Sequence, residues 1–349
     1  MSKNKKLSIG DKITKNKKIF FLIFAVSLVS IFFLVYLYSF TLDFSKGKNP
    51  EFGITFSKKY AQELGLDWTQ SYIAILHELK VENVRLIAYW DEIESIEGFY
   101  DFQDLDWQVS QASDRGIKIQ LILGRRTPRW PECHDPHWLK EKTEKEKEQK
   151  LIAFVAEVIN RYKNNKSIYL WQVENEPFLS TFGICPKLDK DLLIKEISKV
   201  KELDSQRPIL ITDSGELSSW QPAASVSDIL GTTLYRIVWN KYLGFFDYFF
   251  LPPAFYRFKA DITQFLHKNL SEVIVTELQM EPWTFNKNMV DLTKEERDLS
   301  FTPQRFISNV DYVKRAGFKK VFFWGVEYWY WLKLNNEPEI WNLAVKIWN

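Results

Sequence analysis

The sequence predicts a single (β/α)8 barrel preceded by one transmembrane helix. Eight short, β-branched apolar runs alternate with amphipathic stretches over some 300 residues, the pattern of a parallel sheet closed on itself. An uncharged apolar segment stands ahead of them, and two glutamates stand where two of the runs end.

Ile19–Phe40 carries no charge and is long enough to cross a hydrocarbon core of about 30 Å as a helix. Seven lysines against Asp11 give residues 1–18 a net +6, so the rest of a chain of net +2 carries −4. The positive-inside rule then divides the chain into a cytoplasmic basic tail (1–18), an anchor (19–41), a linker (42–50) and an outward-facing domain (51–349). A cleaved signal peptide is the alternative, but its apolar region is shorter and ends in small residues, whereas this one ends Tyr36-Leu-Tyr-Ser-Phe40.

The predicted strands are 52–56, 84–88, 117–123, 168–173, 209–212, 229–234, 273–276 and 321–324. Helical spacing of apolar residues follows in 68–79, in 105–112 ahead of Gly116, and in 151–162, 192–200 and 306–313. A doubly wound sheet is the rival architecture, yet no glycine-rich phosphate loop follows the first strand. The mixed Lys/Glu run 140–150 reads as a solvated helix face. Residues 242–258, rich in Phe and Tyr, form an aromatic insertion after the sixth strand that packs on the rim, walls the cleft or meets the membrane.

A near-neutral, slightly acidic body argues against nucleic-acid binding. Fourteen tryptophans are the unusual feature: an indole face suits the C–H face of a sugar, and ordinary core packing accounts for most of them. Glu176, in Trp171-Gln-Val-Glu-Asn-Glu-Pro177, and Glu277, closing Val273-Ile-Val-Thr-Glu277, both emerge at the C-terminal ends of predicted strands, which is the catalytic rim of a barrel. One carboxyl group to give and take a proton and another to attack the anomeric carbon is the requirement of a retaining glycosidase. Asn-Glu-Pro alone also fits an ordinary helix start.

Arg85 on the second strand, Asn175 and Glu176 on the fourth, Tyr235 on the sixth, Glu277 on the seventh and Trp324 on the eighth form a set that resembles the retaining glycoside hydrolases of clan A, which include the cellulase-like family 5 and the β-galactosidase-like family 42. Arg85-Leu-Ile-Ala-Tyr-Trp90, Ile93-Glu94, Glu97-Gly98, Tyr100-Asp-Phe102 and Leu105-Asp106 are similar to the family 42 pattern. So are Thr127-Pro-Arg-Trp-Pro131 and Thr212-Asp-Ser-Gly-Glu216; Thr233 stands where family 5 places a histidine. The resemblance implies Glu277 as nucleophile, Glu176 as acid/base, Asn175 on the sugar 2-hydroxyl and Trp324 as the floor of the cleavage point. Arg85 and Tyr235 would attend Glu277, and Trp90 and Trp130 join the substrate-binding set. Glu281 and Glu327 are the other rim glutamates.

No cofactor is expected, and Cys133-His-Asp-Pro-His137 matches no common metal spacing. His134 or Arg126 is a candidate to touch a substrate hydroxyl. Cys133 and Cys185 fall in loops after adjacent strands and can pair in an oxidising compartment; two free thiols are the alternative. The expected partners are a carbohydrate and, through the anchor, a lipid bilayer. A glycan-binding protein without catalysis and a transglycosylase are the competing functions.

Overall fold

The computed structural model describes residues 9–187, 189–284 and 287–348, with side chains from residue 20 onward. The first eight residues of the expected basic tail, and the side chains of the rest of it, lie outside the described residues. Eight parallel strands close into a barrel: β1 (Glu51–Thr55), β2 (Asn83–Ile87), β3 (Lys118–Leu123), β4 (Ile168–Val173), β5 (Ile209–Asp213), β6 (Ile229–Leu234), β9 (Glu272–Gln279) and β10 (Lys320–Trp324). An antiparallel hairpin, β7 (Ile237–Asn240) and β8 (Gly244–Asp247), is inserted after β6.

Helix α1 (Ile9–Ser39) comes first, and its segment Phe20–Ser39 is long and apolar enough to cross a membrane and is unburied by the rest of the chain. Outside the barrel run α2 (Lys58–Glu63), α3 (Trp68–Leu79), α4 (Trp90–Ile93), α5 (Gln103–Ser113), α6 (Glu144–Tyr162), α7 (Lys190–Leu203) and α8 (Gln221–Ala224). They are followed by α9 (Pro253–Leu266), α10 (Lys294–Asp298), α11 (Pro303–Ala316), α12 (Val326–Leu334) and α13 (Glu339–Trp348). The Lys/Glu run does not form one helix face: Lys140 sits in a short 3-10 turn, and α6 begins only at Glu144, where Thr143 and Glu146 cap it reciprocally.

The strands sort their side chains by period two. Trp171 and Val173 join the main core between sheet and helices, while Leu170, Leu210, Ile229, Ile274 and Phe322 form a separate cluster at the foot of the barrel interior. One step further along the same inward rows stand Arg85, Gln120, Gln172, Thr212 and Thr276, all fully buried. An apolar plug thus carries a polar layer, and that layer carries the site.

β9 runs three residues beyond its predicted end, so Glu277 lies within it rather than after it. The cause is a register shift: Thr232 pairs with Val275 but Thr233 with Glu277, and one residue of β9 is bulged out. Such a bulge re-aims the side chain that follows it.

Cys133 and Cys185 form a disulfide, with Cα atoms 5.3 Å apart, between the loops that follow β3 and β4. With the partners 52 positions apart in sequence, the chain-entropy term is about 4 kcal/mol. Replacing both cysteines with serine is expected to lower the thermal midpoint, and thiol titration of the denatured, unreduced protein is expected to find no free thiol.

Candidate active site

At the barrel centre Arg85 lies fully buried, in the middle of β2 rather than at its end. A guanidinium without water must have its N–H groups matched. Its Nε donates to Gln172 Oε1 (2.9 Å), Nη1 to Glu277 Oε1 (2.9 Å) and Nη2 to Asn175 Oδ1 (2.9 Å). Tyr235 donates its hydroxyl to the other oxygen of Glu277 at 3.0 Å. Both oxygens of Glu277 therefore accept, as those of a carboxylate do.

Glu176 stands in a different environment. It follows β4 in a loop where Glu174 (φ 59°) and Glu176 (φ 44°) both occupy the left-handed region, which side chains other than glycine rarely adopt. The turn is held from several sides. Glu174 accepts from the backbone N–H groups of Arg125 and Arg126, Asn175 N–H donates to Arg126 O, and Glu176 N–H donates to Thr212 Oγ1. Gly124 makes room for this: a Cβ there would collide with Glu174 Oε1. The Glu176 carboxyl accepts from the Thr233 hydroxyl at 3.3 Å. Burial first, and then the negative charge of Glu277, raise its pKa well above the ordinary carboxylate range.

A third acid, Glu132, was not read from the sequence. It lies in the loop after β3 with φ 75°, and its Oε2 accepts from Asn175 Nδ2 at 3.2 Å. Burial, with the Glu277 charge second, pushes it from 4.5 up to about 8. The available signal was an acidic residue beside a half-cystine in a loop facing strand four.

Arg129, also missed, organises the other side of the site. Its guanidinium lies between the rings of Tyr60 (3.6 Å) and Trp324 (3.9 Å) and pairs with Glu281 (2.5 Å) and Glu327 (3.4 Å). Those two glutamates are thus committed to Arg129, which leaves Glu277 as the rim glutamate on Arg85. Arg129 covers one face of Trp324, so a sugar floored by this ring would meet its other face.

The expectation for Trp90 is corrected. It is fully buried behind the sheet, stacked on Phe154 with centroids 5.4 Å apart, and its N–H donates to Glu94. α4 begins at Trp90 and turns the ring into the outer core instead of the cleft. Trp130 is exposed, and contacts at 6.0, 5.9 and 5.4 Å run from it through Phe182 and Trp283 to Tyr235. Arg126 donates to the carbonyls of Leu179 and Phe182, and His134 lies against Tyr89 with Nε2 near Arg129 O; both serve the loops themselves. Among the described residues no group of three or more His, Cys, Asp or Glu is arranged to hold a metal ion.

Residues 47–186 match glycosyl hydrolase family 10. The β-galactosidase BgaA of Clostridium cellulovorans is 28% identical over 174 residues, 42% of this chain and 25% of that protein, so the chain spans about a quarter of the length of this curated relative. Among solved structures, xylanase XynB from Paenibacillus barcinonensis superposes with TM-score 0.52 at 17% identity, covering 81% of this chain and 86% of that one. The exo-β-1,4-mannosidase Op5Man5 from an Opitutaceae bacterium does so with TM-score 0.54 at 14% identity, covering 86% and 59%. The structural likenesses show the shared barrel. With the family 10 match over residues 47–186, the chain resembles the clan A glycoside hydrolases.

Several buried acids give stability a definite pH dependence. Glu132 is pushed up to about 8, and Glu216 and Glu327 to about 7, each chiefly by burial. A carboxyl group whose pKa is raised on folding stabilises the folded state fully below its unfolded value of 4.5, and that contribution is lost as pH rises through the folded value. The thermal midpoint is expected to fall between about pH 5 and pH 8. Glu132→Gln and Glu216→Gln, which carry no titrating proton, are expected to flatten that fall in a calorimetric pH series.

Proposed function

We propose that this chain is a membrane-anchored, outward-facing retaining glycoside hydrolase acting on β-linked sugars by double displacement. The observation that carries the reading is the contrast between Glu277 within β9 and Glu176 in the loop after β4. Glu277 receives a guanidinium and a phenol on its two oxygens, whereas Glu176 is buried near negative charge and keeps its proton. Environments that push two carboxyl groups apart mark an acid and a nucleophile.

In the proposed reaction Glu277 attacks the anomeric carbon while Glu176 protonates the departing oxygen; Glu176 then accepts a proton from the water that releases the sugar. Arg85 and Tyr235 hold the nucleophile in place, and Asn175, fixed by Arg85 and Glu132, meets the 2-hydroxyl. Trp130 and Trp283 supply aromatic surface for further sugar units. No cofactor enters. The relatives are named for galactosidase, xylanase and mannosidase activities, so the proposal extends to β-glycosides as a class.

Glu277→Gly removes the nucleophile and leaves the acid. Turnover is expected to collapse, and azide is expected to restore cleavage with inverted product. Glu176→Ala is expected to lose about 10²- to 10⁴-fold on substrates whose leaving group needs a proton and little on aryl glycosides that leave unaided. Absence of hydrolysis or transfer on every β-glycoside, with glycan bound equally with and without Glu277, would instead establish a binding protein.

Phe20–Ser39 supports the anchor. The protein is expected to stay with membranes after high-salt washing, with the barrel open to protease added outside. A soluble chain starting near Thr41 would identify a signal peptide.

A further inference from the structure

The apolar face beside the end of α1 has no part in the proposed chemistry. α1 does not leave the barrel freely: Tyr36 donates its hydroxyl to Phe250 O (2.7 Å), Arg315 holds the carbonyls of Phe40 and Leu42, and the Phe44 ring meets Phe258 edge to face at 5.6 Å. The apolar segment of α1 therefore ends against helix α9 and the loop that joins it to the hairpin β7–β8.

That same surface carries a run of exposed apolar side chains. At and after the hairpin, Tyr242 is 83% exposed, Leu243 67% and Phe249 71%. On α9, Phe258, Ile262 and Phe265 follow at i, i+4 and i+7, one face of the helix, and Phe265 is 70% exposed. Large aromatic side chains in water at this density mark a contact surface. Lysines sit at both ends of it, Lys241 with its ammonium 5.0 Å from the Tyr242 ring and Lys268 4.3 Å from that of Phe265, and the exposed pair Arg257–Asp261 borders it. Aromatic rings with lysines that reach toward lipid headgroups are the chemistry of a membrane interface.

We propose that the hairpin tip and the outward face of α9 rest in the outer leaflet of the bilayer that α1 spans, a second, non-spanning membrane contact. The proposal rests on the anchor reading above for its geometry. Its occupant is lipid because the surface is continuous with the end of the membrane helix. The contact also bears on the site. Gln279, two residues beyond Glu277 on β9, accepts at Oε1 from the N–H groups of Arg236 and Ile237 and donates to Ile237 O, which fixes the root of the hairpin to the nucleophile's own strand. A hairpin seated in lipid thereby sets the cleft at a fixed distance from the membrane surface, and glycans held at that surface become the accessible substrates.

The test uses the full chain in vesicles of phosphatidylcholine and phosphatidylglycerol in equal parts. Nitroxide labels are placed through Phe249→Cys, Phe265→Cys and, on the opposite side of the barrel, Phe99→Cys, which is equally apolar and 62% exposed. The native cysteines are paired and do not compete. The expected result is a ratio of oxygen to water-soluble nickel-chelate collisions several-fold higher at residues 249 and 265 than at residue 99. Equal chelate access at all three sites overturns the proposal. So does spin–spin broadening at 249 and 265 that disappears on dilution with unlabelled chain, which would show a second copy covering the face. Alkaline extraction of the same vesicles tests the anchor separately. A chain that stays with the vesicles while residues 249 and 265 meet the chelate leaves the anchor standing and removes the docking face. A chain released by alkali whose labels had read lipid does the reverse.

Discussion

The buried guanidinium of Arg85 is the constraint around which the barrel's upper half is organised. A charge with no access to water is tolerated only when partners surround it, and removing one partner of such a pair typically costs about 3–5 kcal/mol because the other charge is left bare. Here the partners come from different strands: Gln172 on β4, Asn175 just beyond it and Glu277 on β9. Gln172 is in turn fixed by Gln120 on β3, and its amide donates to Glu174 O. A slip of one residue in β2, β4 or β9 would turn one of these groups out of the barrel. The polar layer therefore specifies register at the same time as it positions the two glutamates.

The same network divides the acids by their surroundings. Glu277 sits where the donors converge. Glu176 accepts from the Thr233 hydroxyl and Glu132 from the Asn175 amide; both lie near negative charge, and burial holds both toward the neutral form. The Asn175 oxygen accepts from Arg85 and Thr212, which forces its amide nitrogen toward Glu132. The Asn175 amide is thus fixed in orientation from both sides.

The strands and the two glutamates were legible because burial on both faces leaves continuous apolar runs, and a charged residue closing such a run stands where the strand opens onto the rim. Tyr235 was legible as the polar residue that follows such a run, and Arg85 as a charge inside one. The bulge in β9 was not, since one displaced residue leaves no mark on an apolar pattern. Trp90 was misplaced because a tryptophan after a strand reads alike whether the next turn faces the cleft or the outer core. Arg129 and Glu132 escaped because loop residues meet partners far away in sequence: Glu281 and Glu327 lie 152 and 198 positions beyond Arg129. No local periodicity encodes such pairs.

Those loop residues share a backbone signature that explains why the loops after β3 and β4 are locked together. Arg129, Glu132, Glu174 and Glu176 all have positive φ, a conformation that costs about 1–3 kcal/mol each for residues other than glycine. Two neighbouring loops with four such positions would relax if either could move alone. They are joined at every level: Asn175 N–H to Arg126 O, Arg126 to the carbonyls of Leu179 and Phe182, Ile184 N–H to Pro131 O, and the Cys133–Cys185 bond beside Glu132. Gly183 permits the closest approach, since a Cβ there would meet Glu132 Cβ at 2.8 Å. Glu176 and Glu132 are therefore held by one cross-linked unit, while Glu277 is held by the sheet. Glu176 and Glu277 are thus fixed by two different kinds of rigidity, a cross-linked pair of loops on one side and a bulged but fully paired strand on the other.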